Sequence, residues 1–171
     1  MIRLIISNSA RFIFLVIFQV LILNNVQLYN VLNPYFYVLF ILLLPLDISA
    51  WAILFLSFFL GLSVDVFSDT GGIHAAASVF MAFCRPMVLI IVTPRGGYEH
   101  EPSPSLSNMG ARWFITYSSI LVLLHHLLLF NIEVFRFNEF PMTLLRIVLS
   151  SVFTMTLIII SQYFFTSGRS K

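Results

Sequence analysis

Apolar residues run through this chain in long blocks separated by short polar stretches, and six blocks can be marked, at 12–28, 35–46, 51–67, 73–92, 113–130 and 142–165. A hydrocarbon core of about 30 Å takes about 20 apolar residues in helical form, so each of the last four blocks predicts a membrane-spanning helix. The first is thinned towards its end by Asn24 and Asn25. The second, bounded by Asn33-Pro34 and Pro45, is short enough to be re-entrant or broken rather than a full span. The pattern therefore predicts an all-α polytopic membrane bundle of about six transmembrane helices, a single integral domain over residues 1–171. The stretch 93–111, rich in Gly, Pro and Ser, cannot bury enough apolar area to fold alone and is expected as a mobile cytoplasmic loop.

Composition supports the same class. Hydrophobic residues make up 60% of the chain and charged ones 9%, against roughly 25% charged in a soluble domain. The net charge of +2, with no basic run, excludes a nucleic-acid footprint. One cysteine, Cys84, offers neither a disulfide nor a thiolate metal site and reads as a small core residue. Arg3 and Arg11 precede the first block, but Asn24, Asn25 and Gln27 follow it where a signal peptide would carry small residues. The first block is therefore expected to stay as a span.

Orientation is read from Lys and Arg, which gather in cytoplasmic loops. With six crossings and the N-terminus inside, Arg3, Arg11, Arg95, Arg112, Arg169 and Lys171 fall on the cytoplasmic side, with Trp51 and Trp113 at that interface, and Arg136 falls outside. Five crossings would export Arg169 and Lys171, which favours counting the short second block as crossing.

Ionisable groups at bilayer depth cost at least about 2.5–3.5 kcal/mol each, so each needs a partner or a task. The densest stretch is FLGLSVDVFSDTGGIHAAA, where Gly61, Asp65 and Asp69 recur at four-residue spacing along one helical face. The missing Cβ of Gly61 would let another backbone approach, and Gly71-Gly72 supplies the reversal. Asp65 and His74 then sit on opposite arms at equal depth, within reach of a hydrogen bond or ion pair. Arg85 lies roughly 24 Å further down its helix. It precedes Pro86, and the carbonyl of Ala82 freed by that ring, with snorkelling towards the cytoplasm, is expected to satisfy it. The same counting puts His125, His126, Glu133 and Arg146 near the outer ends of their spans, with Arg136 and Glu139 between. Nine ionisable groups would thus share the outer rim, as a docking and structural network or around a ligand pocket. Adjacent histidines point about 100° apart and no H-x3-H spacing exists, which argues against a metal site. Ser63, Ser68 and Ser78 lack a nucleophile elbow, which argues against a hydrolase. No catalytic, cofactor-binding or metal-ligating residue is assigned.

Several segments in this order resemble the MreD family of rod-shape-determining membrane proteins, in its Bacteroidetes-like form: QVLILNNVQ, NPYFYVLFILLLPL, GLSVDVFSDTGGIHAAA, MAFCRP, PRGGYE and HHLLLF. The hairpin is the most specific of them, through Gly61, Asp65, Gly72, His74 and Ala75. The resemblance implies a non-enzymatic inner-membrane partner of MreC, in an assembly with MreB, RodA and a class B penicillin-binding protein that inserts peptidoglycan along the side wall. It also implies a fold similar to the substrate-binding subunits of energy-coupling-factor vitamin transporters. A small-molecule-binding transporter subunit is therefore the alternative.

Overall fold

The chain folds, in a computed structural model describing residues 2–26, 32–98, 103–134 and 140–167, into five long helices packed around a buried irregular segment. The long helices are α1 (Ile2–Leu21), α3 (Ala50–Ser68), α4 (Ile73–Ile91), α6 (Ala111–Val134) and α7 (Phe140–Ser167), with single-turn helices α2 (Leu39–Leu42) and α5 (Leu106–Met109) between them. Among the described residues, five helices are long and apolar enough to cross a membrane, the first of these stretches running on to Asn25. The protein is thus an all-α, multi-pass membrane bundle. Its outward faces carry Phe, Ile and Leu in the open, such as Phe55, Phe83 and Ile90, as lipid contact requires.

Local chemistry sets the helix ends. Ser49 caps α3 by accepting from the Ala52 N–H at 3.3 Å. At its other end Asp69 adopts a left-handed conformation, φ 55°, and Gly71 and Gly72 follow at φ 58° and 97°. These two glycines turn the chain into α4, a reversal few other residues could make without strain. Asp69 has therefore left the helix and is exposed, so the expected Gly61–Asp65–Asp69 face ends at Asp65.

The second apolar block is not a long helix. It is a 3-10 turn, Phe36–Val38, continued by the single turn of α2, and every residue from Pro34 to Leu44 is buried. Its beginning lies beside the last turn of α1 and the first half of α7, where Gln19 and Thr154 bond it. Its end lies twelve residues into α4, where Arg85 bonds it. The segment therefore runs down the middle of the bundle from the end where α1 stops towards the end where α3 begins. The first residues of α1 and the last of α7 share one end, across a trough that both line.

The linker expected as mobile is packed at both described edges. The Tyr98 hydroxyl donates to the Leu89 carbonyl at 2.7 Å, and its ring meets the edge of Trp113. Leu106 of α5 is buried. Residues 27–28 of the first expected span, Arg136, Glu139, Arg169 and Lys171 lie outside the described residues.

Candidate functional site

A chain buried among helices without a helix of its own leaves its N–H and C=O groups to be satisfied by others, at several kcal/mol per failure in oil. Here side chains from four helices do it. Gln19 on α1 accepts from Phe36 N at 2.8 Å and more weakly from Tyr37 N, and donates to the Pro34 carbonyl at 3.0 Å. Thr154 on α7 accepts from Tyr35 N at 3.0 Å, and Ser150 from Asn33 N at 3.1 Å. At the far end Arg85 donates through Nη2 to the carbonyls of Leu44 and Pro45 and through Nε to the Tyr117 hydroxyl at 2.7 Å. Tyr117 passes its own proton to the Leu42 carbonyl. Arg85, 2% exposed, is thus neither snorkelling nor held by the Ala82 carbonyl as expected. Its charge is met by the carbonyls ending the broken segment.

The α3–α4 hairpin is locked by two contacts. At Gly61 a Cβ would stand 2.5 Å from Ala75 Cα and 2.6 Å from Ala75 N, and closer still to the His74 carbonyl. The backbones therefore touch. Asp65, 4% exposed, accepts from the N–H of His74 at 3.0 Å, of Ala75 at 2.8 Å and from the Thr70 hydroxyl at 2.6 Å. The carboxylate sits on the N-terminus of α4, where free N–H groups and the helix dipole both favour negative charge. The expected Asp65–His74 link exists, but through the backbone of His74 and not through its ring.

That ring faces the interior. The Tyr37 hydroxyl lies 3.0 Å from His74 Nδ1 and 2.8 Å from His125 Nε2. It has one proton, so it donates to one ring and accepts from the other. His125 Nδ1 is buried with no partner among the described residues. His126 completes a second chain: its Nδ1–H donates to the Val122 carbonyl at 2.8 Å, and its Nε2 lies 3.2 Å from the Thr154 hydroxyl, which can donate or accept. Tyr35 packs against His74, His125, His126 and Phe130 and closes this layer.

The single rim expected for nine ionisable groups is therefore two levels. Asp65, His74, His125 and His126 form an interior layer, the two α6 histidines being fully buried at the depth of His74 in the first turn of α4. Glu133, exposed, and Arg146, largely buried, pair at the rim at 3.2 Å, with the guanidinium over the Phe130 ring at 4.8 Å. Asp69 joins neither level. Between rim and layer opens a cleft of about 350 Å³, lined by Asn24, Asn33, Tyr35, Thr70, His74 and Glu133 among others. Among the described residues no three His, Cys, Asp or Glu side chains converge to hold a metal ion.

The residues missed from sequence are Gln19, Tyr35, Tyr37, Tyr117 and Thr154. Their signal was present: a glutamine alone in an apolar helix, and a Pro-bounded block too short to span, which must take its hydrogen bonds from elsewhere. Comparison with protein-family models, curated proteins and solved structures finds no significant match.

Proposed function

We propose that this chain is a non-enzymatic scaffold of the MreD type, which docks MreC in the cell-wall elongation complex and so coordinates peptidoglycan synthesis with cell shape. MreB, RodA and a class B penicillin-binding protein belong to the same assembly in this reading. The bundle lies in the bacterial inner membrane with both termini cytoplasmic, so that six Lys and Arg side chains outside the spans stay inside and the outer loops hold only Arg136. The broken segment makes the sixth crossing. The observation that carries the reading is how the polar groups are used. Interior ones bond each other and the segment, building a rigid frame, while the frame presents a charged pair, Glu133 and Arg146, at the rim. The hairpin residues behind the family resemblance are also the ones that lock that frame.

The test is recovery of MreC from detergent extracts with Glu133→Ala, Arg146→Ala and the double variant. Reduced recovery with unchanged thermal stability supports the scaffold; full recovery with every rim variant counts against it. Depletion in a rod-shaped cell should produce rounding.

A second reading, a small-molecule-binding subunit of a transporter, is favoured by the cleft, whose volume falls in the range of ligand pockets. Calorimetry with a vitamin panel separates the two. Saturable heat abolished by His74→Ala would support uptake, and growth of depleted cells rescued by one nutrient would do the same.

A further inference from the structure

At the end of the bundle opposite the rim, α1 and α7 do not close on each other, and a trough of about 660 Å³ runs between them. Its floor is the broken segment, through Phe36, Leu39 and Leu43, and its apolar wall continues along Phe14, Leu15 and Phe164. One end is polar: Arg11 enters from α1, Ser103 and Ser105 come from the loop leading into α5, and Ser107 from α5 itself.

Arg11 is the informative residue. It is half-buried on a membrane-spanning helix, and among the described residues its one hydrogen bond is to Asn8 Oδ1 at 3.1 Å. A guanidinium has five N–H donors, so four lack a partner there. Ser103 Oγ accepts from Asn108 at 3.3 Å, and its own hydrogen has no acceptor among the described residues. Donors without acceptors, on a cation at the mouth of an apolar trough, are complementary to an anion that carries a hydrocarbon tail.

We propose that this trough holds one anionic phospholipid, its phosphate on Arg11 and the Ser103 hydroxyl and an acyl chain along Leu15, Leu39 and Leu43. A lipid fits better than a protein helix. A volume of about 660 Å³ is little more than one turn of a helix 10–12 Å across, whereas an acyl chain needs only a slot. The site lies away from the rim, so its failure and the failure of the scaffold reading are separable. Held there, the lipid would cover the broken segment on the side where neither α1 nor α7 does.

The experiment is native mass spectrometry of the full chain, delipidated in detergent and then titrated with phosphatidylglycerol, with phosphatidylcholine, or with glycerol phosphate. Wild type should retain one phosphatidylglycerol at collision energies that strip phosphatidylcholine, and glycerol phosphate should not compete at equal concentration. Arg11→Gln should lower that retention at least about tenfold, as loss of charge-assisted hydrogen bonds implies. Ala10→Trp, which adds bulk to the trough wall from an exposed position, should lower retention of both lipids. Arg112→Gln, an exposed arginine outside the trough, should change nothing. Equal retention of the two lipids, or Arg11→Gln without effect, overturns the proposal. So does competition by glycerol phosphate, which would make the site one for free anions. A photo-crosslinker at position 10 that gives a protein adduct in membranes in place of a lipid adduct would also overturn it.

Discussion

Replacing Gly61 with Ala tests the hairpin directly, because the geometry sets the displacement. The added Cβ would have to move from 2.5 Å to at least 3.4 Å from Ala75 Cα to reach ordinary contact, a shift of about 0.9 Å between two backbones. The same shift would stretch the bonds from Asp65 to His74 N and Ala75 N, now 3.0 and 2.8 Å, beyond hydrogen-bond range. Bonds to a charged group are worth roughly 1.5–3 kcal/mol each, so the pair amounts to about 3–6 kcal/mol. Alanine's higher helix propensity returns about 1 kcal/mol. A net loss of about 3 kcal/mol should lower the melting temperature by roughly 6–12 °C in a chain of this size. Cys84, the only cysteine and half-buried on α4, makes the assay simple: a thiol-reactive dye follows its exposure on heating in detergent. A melting temperature within about 2 °C of wild type, or above it, would refute the claim that α3 and α4 need this glycine for close approach.

Asp65→Ala should cost about 2–5 kcal/mol in the same assay, since it strands two buried N–H groups, while Asp65→Asn, which keeps one of the two acceptor oxygens, should cost about half of that. Tyr37→Phe removes the hydroxyl shared by His74 and His125 and should destabilise by about 1–3 kcal/mol, read as a fall in melting temperature. Arg85→Leu frees the carbonyls of Leu44 and Pro45, and hydrogen–deuterium exchange should accelerate in the peptide covering 39–48 more than in the α6 peptides. Arg146→Ala, by contrast, breaks one rim ion pair and the contact with the Phe130 ring and should cost only about 1 kcal/mol, which suits it to binding assays.

Composition and block length by themselves determined that this is an all-α membrane bundle, because 60% apolar residues in helix-length runs have no other stable arrangement in a bilayer. The hairpin was legible for a related reason: Gly61, Asp65, Gly71 and Gly72 act on neighbours close in sequence, so their spacing already contains the geometry. The interior pairings were not. Asp65 and His74 were placed at one depth correctly, yet their link runs through a backbone N–H, which no side-chain inventory names. Arg85 finds its acceptors about 40 residues away in the chain, at Leu44 and Pro45, and a depth count along its own helix could not see them. The histidines of α6 turned inward because Tyr37 and Thr154 meet them there, on partners 88 and 28 residues distant. Only the tertiary structure decided these pairings. A buried polar group is satisfied by whatever the packing brings within about 3 Å, and sequence distance has no say in that.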